Sequence, residues 1–273
     1  MSDVIRILSD LHYGDRGSRI RSLPSLTPLF QDATSLVLNG DTLDTRPGPD
    51  PAATSALRAE MRQFFDHSAP PTTFLTGNHD PDYSTQHTLD LAGGQVFVTH
   101  GDIIFDDLVP WSQDAPFIRQ RLAAELALLS PEERDQLDPR LAAYRRVAAT
   151  IPQRHQSERN RFKYSFGFMK DTVWPPARIL RVLRAWRRGP GLAANLTRRY
   201  RPQARFAIIG HIHHSGFWRR EGVTVLNTGS FCPPLSGCVI DVTADHVTLR
   251  RIIEKRGDFR LGATVKEFAL APV

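Results

Sequence analysis

Five short motifs rich in Asp, His and Asn lie along this chain, and each follows a short run of apolar or β-branched residues. Runs of that kind are typical of buried strands. In open α/β sheets, functional residues gather outside the carboxyl ends of the strands, so the five motifs are expected to meet at one place in the fold. The motifs are Asp10-Leu11-His12, Gly40-Asp41, Gly77-Asn78-His79-Asp80, His100-Gly101-Asp102 and Gly210-His211-Ile212-His213.

The order of predicted strands and helices indicates the class of fold. Early strands alternate with helical candidates, of which residues 52–67 are the clearest because their apolar residues recur at helical spacing. The late strands follow one another without helices. This order is typical of a layered α/β protein in which a pair of sheets lies between helices. We predict strands at residues 4–8, 35–38, 73–76, 95–99, 205–209, 223–226, 238–242 and 247–253.

Residues 106–202 interrupt this alternation, since they contain several helix-like runs and few strand-like ones. We interpret them as a helical insert, or lid, whose two ends lie beside polar motifs. The predicted core domain then comprises residues 1–105 and 203–273. Within the insert we predict helices at residues 118–129, 131–149, 176–188 and 192–199.

The insert carries most of the positive charge. Residues 140–205 hold 17 basic and two acidic residues, whereas the rest of the chain holds 18 basic and 27 acidic ones, beneath a net charge of +6. Such asymmetry predicts that the basic segment meets an anionic group. Residues 177–188 have the pattern of a basic amphipathic helix, and residues 162–170 add aromatic side chains among cations. The structural alternative is a helix that packs its apolar stripe on the core and solvates its arginines.

Composition indicates the cellular compartment. The two cysteines, Cys232 and Cys238, support neither a disulfide framework nor a four-ligand zinc site. No run approaches the ~20 apolar residues of a membrane-spanning helix, and the opening residues lack the cationic-then-apolar pattern of a signal peptide. We therefore expect a cytoplasmic protein with two ordinary thiols.

The residue types in the motifs are those that bind transition metals. Asp10 and His12 offer a carboxylate and an imidazole, which suit divalent ions that accept mixed oxygen and nitrogen ligands. Two motifs also have structural explanations, because Asp10 could form a turn beside a solvated His12, and Asn78 could form an Asx-turn while Asp80 caps a helix. The second explanation does not account for His79 between them. So many potential ligands at successive strand ends are nevertheless an improbable coincidence. The set as a whole favours a metal centre.

Together the motifs resemble those of the calcineurin-like metallophosphoesterase superfamily, whose pattern runs Asp-x-His, Gly-Asp, Gly-Asn-His-(Asp/Glu), His, Gly-His-x-His. Every position of the pattern is filled here. The resemblance covers roughly residues 5–102 and 206–230, and residues 227–230 are similar to the turn that often follows the last motif. It implies a four-layer α-β-β-α sandwich of two mixed sheets with a helical insert.

The resemblance also implies a ligand set and a reaction. The protein would be a metal-dependent phosphoesterase that hydrolyses a P–O bond through a hydroxide bridging two divalent ions. Mn²⁺ is the expected metal, with Fe, Zn and Co as alternatives, because all of them accept such ligands. The implied ligands are Asp10, His12 and His213 for the first ion, Asn78, His100 and His211 for the second, and Asp41 as the bridge.

Two further residues would act in catalysis. His79 is expected to stabilise charge on phosphorus or to protonate the leaving oxygen, with Asp80 or a backbone carbonyl fixing its tautomer. Asp44 and Asp102 are expected to orient ligand imidazoles from outside the metal shell. His214 has no place in the pattern, and we expect it to be solvated or in contact with a ligand.

The specificity for one substrate over another should depend on the insert. The layout resembles that of the UDP-2,3-diacylglucosamine pyrophosphatases of lipid A synthesis, although those enzymes usually carry Arg where this chain has His79. The resemblance implies a bulky phosphoester such as a UDP-sugar-lipid pyrophosphate. The basic amphipathic helix of the insert predicts that Arg181, Arg184 and Arg187 bind this substrate and that the helix makes peripheral contact with the inner face of the membrane. The alternatives are a general nucleotide or protein phosphatase or phosphodiesterase, a nuclease or other nucleic-acid-binding protein that uses the basic insert, and a non-catalytic scaffold.

Overall fold

The computed structural model describes residues 3–153, 177–234 and 236–272. In this part of the chain, eleven strands form two mixed sheets. One sheet has the order β11-β10-β9-β1-β2-β3 and the other the order β4-β5-β6-β8-β7, where the strands are β1 (Ile5–Leu8), β2 (Ser35–Asn39), β3 (Thr72–Leu75), β4 (Thr88–Leu91), β5 (Val96–Thr99), β6 (Phe206–Ile209), β7 (Gly216–Arg220), β8 (Val223–Asn227), β9 (Cys238–Val242), β10 (His246–Lys255) and β11 (Asp258–Ala269).

The helices of the described residues cover the outer faces of both sheets. The first begins after Asp50, whose side chain accepts a hydrogen bond from the backbone N–H of Ala53 at 2.9 Å and so caps the helix. None of the described helices is both long and apolar enough to cross a membrane. The α-helices are α1 (Pro51–Ser68), α2 (Ala115–Ala127), α3 (Pro131–Arg134), α4 (Leu137–Ala148) and α5 (Ala177–Tyr200), and a 3₁₀-helix spans Leu23–Leu29.

Three apolar layers hold the architecture together. Between the sheets, residues such as Ile7 and Ile240 from one sheet pack with Val98 and Ile208 from the other. The outer face of the first sheet is covered by α1 and the 3₁₀-helix. The outer face of the second sheet is covered by α2, α4 and α5. Burial on both faces of each sheet stabilises the predicted α-β-β-α sandwich of two mixed sheets, which is confirmed.

The eight predicted strands are all present, within three residues of their expected ends. Three strands were missed, namely β4, β7 and β11. Strand β11 has mostly exposed side chains at the edge of its sheet, so its sequence does not show the apolar run of a buried strand. Predictions from apolar runs therefore find central strands better than edge strands.

Two predictions of helices were wrong. The predicted helix at residues 131–149 is divided into α3 and α4, and the predicted break at residues 189–191 is absent because α5 continues through Pro190. Gly189 and Pro190 are buried, and Gly189 packs against Ile212 and Phe105. Tertiary packing thus outweighs the local tendency of Gly and Pro to end a helix.

The helices of the predicted insert form the outer layer on the second sheet. Tyr144 of α4 packs near Phe97 of β5, and Ala193 of α5 packs near Ala207 of β6. The boundaries at residues 106 and 202, and the role of this segment as a lid, stay predictions. The aromatic and cationic segment at residues 162–170 lies outside the described residues.

The five motifs do follow strand ends. They come directly after β1, β2, β3, β5 and β6, and these strands run parallel within their sheets. Asn39 joins the two sheets at this edge, since its side chain donates to the backbone oxygen of Thr99 at 2.9 Å. The fold therefore brings the motifs to one edge of the paired sheets.

Candidate metal centre

The backbone of the motif loops is unusual. Five of the predicted ligands have positive φ: Asp10 (53°), His12 (46°), Asp41 (52°), His211 (65°) and His213 (56°). This left-handed conformation costs an ordinary residue about 1–2 kcal/mol, and such strain persists where the surrounding structure holds it in place. The left-handed backbone therefore lowers the free energy of unfolding, but it turns these side chains toward one another.

Asp10, His12 and His213 form the first cluster. Oδ1 of Asp10 lies 3.0 Å from Nε2 of His213 and 3.9 Å from Nε2 of His12. The two imidazole Nε2 atoms are 3.3 Å apart. Ligand atoms of all three residues lie within 4.8 Å of one another, which is the spacing of donors around one ion.

Asp41, His100 and His211 form the second cluster, again with ligand atoms within 4.8 Å of one another. Backbone carbonyls fix the imidazoles. Nδ1 of His100 lies 2.9 Å from the backbone oxygen of Asn39, and Nε2 of His211 lies 2.7 Å from that of Leu108. A ring nitrogen that donates to a carbonyl leaves the other ring nitrogen free to bind a metal in the neutral imidazole.

The carboxylate of Asp41 lies between the two clusters. Its Oδ2 is 3.3 Å from Nε2 of His100 in the second cluster and 3.9 Å from Nε2 of His12 in the first. Its Oδ1 accepts the backbone N–H of His79 at 2.7 Å, which holds the carboxylate in this orientation. The geometry is that expected of a ligand shared by two ions.

The pKa values show how strongly these groups interact. Burial alone would raise the pKa of the Asp41 carboxyl, but the imidazoles of His100 and His79 outweigh burial and hold that pKa well below its ordinary value. The same contact with Asp41 overcomes burial at His100 and raises the His100 pKa to about 10. Burial, together with nearby imidazoles, lowers the pKa of His12 and of His211 to about 4. The centre therefore favours ionised carboxylates and two neutral imidazoles.

One buried polar atom supports a cation at this place. Oδ1 of Asn78 makes no hydrogen bond with any of the described residues. An unpartnered buried polar atom is costly, and this one would be satisfied as a metal ligand. Carboxylate, imidazole and amide donors are also the set that divalent transition ions accept. The residues present thus fit a divalent metal centre.

His79 lies beside these clusters with its Nδ1 turned toward two charged groups. Nδ1 is 3.1 Å from Oδ2 of Asp44 and 2.8 Å from a terminal nitrogen of Arg46. Arg46 and Asp44 also form a two-point ion pair at 2.9 and 2.7 Å. Burial and Arg46 lower the pKa of His79, but Asp41 and Asp44 outweigh them, so the His79 pKa is raised.

The predicted catalytic residue Asp80 has a different position from the one expected. Its carboxylate accepts backbone N–H groups of Gly77 at 2.6 Å, Asp41 at 3.0 Å and Thr42 at 2.7 Å. Both oxygens are thereby occupied, and Asp44 rather than Asp80 faces the His79 ring. The prediction that Asp80 orients His79 is corrected: Asp80 joins two motif loops.

The expectation for Asp102 also needs correction. Its Oδ1 accepts a hydrogen bond from Arg145 of α4 at 2.5 Å, and both side chains are buried. The ligand imidazoles are oriented by backbone carbonyls instead. Likewise, Asp44 contacts His79 and Arg46 rather than the imidazole of a predicted ligand.

The predicted substrate-binding arginines lie on α5. Arg184 and Arg187 are exposed and Arg181 is half-buried. Among the described residues, no hydrogen bond or ion pair joins any of them to the metal centre. Their connection to the centre is indirect, because α5 contacts the Gly210–His213 loop through its other residues.

Sequence reasoning missed several residues that shape the site. Arg46 follows Asp44 by two positions, and an Arg so near a strand-end Asp could have been noticed. Ser9 donates to Asp10 and shares a 2.5 Å contact with Thr228. Residues with such generic side chains could not have been identified without the fold.

Two motif glycines are required by close packing. A Cβ on Gly77 would overlap Oδ1 and the backbone nitrogen of Asp41, and a Cβ on Gly210 would overlap Ser9 and Asp10. Gly77 has no positive φ, so the restriction there is one of space alone. Glycine lets the backbone approach the ligand carboxylates.

We expect the Gly77→Ala variant to bind Mn²⁺ about 10–100-fold more weakly, because an added methyl must displace the loop that orients Asp41. Mn²⁺ titration of the metal-free protein would measure this. Gly191→Ala is the matched control, since nothing lies within 4 Å of a Cβ at Gly191 and it sits within α5. Equal affinities for the two variants would contradict the packing argument.

Comparison with known proteins connects this geometry to a family. A family model described as calcineurin-like phosphoesterase matches residues 4–215, a span that includes all five motifs. No curated protein sequence matches the chain significantly. Solved structures similar to this chain include vacuolar protein sorting 29 from Cryptosporidium parvum (13% identity, TM-score 0.47, 98% of this chain and 99% of that one), a predicted phosphoesterase from Streptococcus pneumoniae (13%, 0.40, 99% and 99%) and a dimetal phosphatase from Danio rerio (13%, 0.40, 92% and 96%).

Proposed function

This chain belongs to the calcineurin-like phosphoesterase family and is a metal-dependent phosphoesterase, and we propose that it hydrolyses a P–O bond at a centre of two divalent ions, with Mn²⁺ as the metal. The first ion would be held by Asp10, His12 and His213 and the second by Asn78, His100 and His211. The observation that carries the proposal is the position of Asp41, whose carboxylate lies within 4 Å of an imidazole from each cluster. When bound, two such ions supply Lewis acidity and activate water.

His79 is proposed to protonate the leaving oxygen. Arginine can only donate hydrogen bonds, so a bond from Arg46 makes Nδ1 of the neutral His79 ring an acceptor and leaves its proton on Nε2. The cationic ring, which the raised pKa favours, also carries a proton on Nε2 and donates from Nδ1 to Asp44. In both states Nε2 is a proton donor, as a general acid requires.

We propose that the substrate is a phosphoester with a bulky and partly apolar group, and a UDP-sugar-lipid pyrophosphate fits that description. The support comes from α5, where Ile179, Leu180 and Leu183 are 40%, 54% and 47% exposed. Arg184 and Arg187 are exposed on the same helix. Apolar side chains beside arginines suit an anionic head group with an acyl portion, and would also allow peripheral contact with a membrane surface.

Reversing Arg181, Arg184 and Arg187 to Glu is expected to raise KM by roughly 10-fold or more, because a cationic surface raises the local concentration of an anionic substrate. The metal content should not change. Steady-state kinetics together with metal analysis would measure both. Reversal of Arg251, Lys255 and Arg256, which are exposed on the β10–β11 hairpin, is the matched control. Unchanged KM in the α5 variant would exclude these arginines from substrate binding.

The reaction itself can be tested by a substrate panel. Purified protein loaded with Mn²⁺ would be assayed on a phosphomonoester, a phosphodiester and a UDP-sugar lipid. Preference for the lipid supports the proposed substrate class. Preference for small esters, kept after α5 is altered, would favour a general phosphatase, and hydrolysis of nucleic acid with steep salt dependence would favour a nuclease. Failure to hydrolyse any of them would contradict the proposed reaction.

A further inference from the structure

The loop at Gly210–His214 needs support from outside the motifs. It carries two predicted ligands, His211 and His213, and both have left-handed backbone. The core holds the start of the loop, since the side chain of Asn227 donates to the backbone oxygen of Gly210 and Asp10 accepts the backbone N–H of His211. The far side of the loop, from Ile212 onward, is contacted by a different element.

That element is α5, and its Trp186 makes two contacts with the loop. The indole Nε1–H donates to the backbone oxygen of Ile212 at 2.8 Å. The indole ring lies 4.6 Å from the ring of His214, at an interplanar angle of 34°. Trp186 thus contacts the residues immediately before and after His213.

The backbone of α5 also packs closely on the loop. The side chain of Ile212, which is 2% exposed, lies against Gly189, where an added Cβ would be only 3.4 Å from its Cδ1. Ala185, Ala193 and Ala194 of α5 belong to the same apolar cluster as Ile212. Small side chains let the helix approach closely, so the position of Ile212 is set by α5.

We propose that Trp186 is a positioning residue that orients His213 for metal binding. It acts through the Ile212 carbonyl and the His214 ring and does not itself touch the metal or the substrate. The proposal rests on the proposed function, because it takes His213 as a ligand. It also gives α5 a second role, since the helix that carries the candidate substrate arginines supports a ligand loop as well.

The test is a Mn²⁺ titration of metal-free, full-length Trp186→Phe, which keeps an aromatic ring but removes the indole N–H. We expect its Mn²⁺ affinity to fall about 10-fold, at the lower end of the effect of residues that orient metal ligands. Excess Mn²⁺ should restore its kcat. The unfolding midpoint in EDTA should equal that of the original protein.

Trp218→Phe is the matched control. Trp218 lies 5.5 Å from the His214 ring, but its indole makes no hydrogen bond to the described residues. Unchanged affinity in Trp186→Phe, equal weakening in both variants, or weakening accompanied by a lower unfolding midpoint in EDTA would each overturn the proposal.

His213→Ala separates this proposal from the proposed function. Loss of one Mn²⁺ in His213→Ala with normal affinity in Trp186→Phe would overturn the role of Trp186 alone. Normal Mn²⁺ binding in His213→Ala would overturn the ligand assignment, and with it both proposals.

Discussion

Replacing Asp41 by Asn should lower turnover at least about 10³-fold, because the shared carboxylate contributes several kcal/mol and about 1.4 kcal/mol corresponds to tenfold in rate. The substitution keeps the shape of the side chain and removes its charge. Asp41 is buried and its oxygens face His79, His100 and His12, so Asn cannot balance the charge of two cations at this position. Metal content should fall together with turnover.

Metal analysis after dialysis and steady-state kinetics would measure the two effects. Asp66→Asn is a matched control, since it makes the same chemical change at an exposed position of α1. A variant of Asp41 that retains both metals and normal turnover would exclude the bridging role. Loss of turnover with full metal content would instead assign Asp41 to substrate alignment.

The central strands are the part of the fold that could be predicted best from sequence, because their burial in the core gives them an apolar pattern. Seven of the eight predicted strands are central in their sheets, and most of these are short, buried apolar runs. The eighth, β3, lies at an edge but ends in the buried pair Phe74 and Leu75. Edge strands alternate or expose their side chains, and β4, β7 and β11 were missed for that reason. The break expected at Pro190 was wrong because packing against Ile212 and Phe105 maintains the helix.

The candidate centre was predictable as a list of residue types but not as a geometry. The family resemblance implied Asp10, His12 and His213 as one set and Asp41 as the bridge, and the structure brings the set together and places the Asp41 carboxylate between the two clusters. The motifs alone do not predict this position of Asp41, since it depends on the paired sheets and on the His79 backbone N–H. Asn78 is buried at the expected strand end with its oxygen unpartnered among the described residues.

Residues that orient others were the least predictable. Asp80 has the place in the motif of a catalytic partner, yet its oxygens accept three backbone N–H groups. The role of Arg46 can be inferred only from the structure, in which a terminal nitrogen of its side chain lies 2.8 Å from Nδ1 of His79. Trp186 lies in a segment whose sequence suggested a lid, yet it contacts a ligand loop. Such roles depend on contacts between distant segments, which local patterns do not encode.

Replacing His79 by Ala should lower kcat by about 10²–10⁴-fold, the usual contribution of a general acid, and should leave two metal ions in place. Metal content is the deciding measurement, because His79 could itself be a ligand. It lies with His12 and Asp41 in a third cluster whose ligand atoms are within 4.8 Å of one another. Its Nδ1 is already engaged by Asp44 and Arg46, which favours the role of proton donor through Nε2.

The matched control for His79→Ala is His67→Ala, which removes an imidazole from the exposed end of α1. The control should keep both rate and metal. If His79→Ala loses one equivalent of metal, His79 is a ligand and its assignment as general acid is wrong. If it keeps both metals and the full rate, His79 takes no part in the chemical step. Only a lower kcat at full metal content is the result expected of a residue that donates a proton without binding the ions.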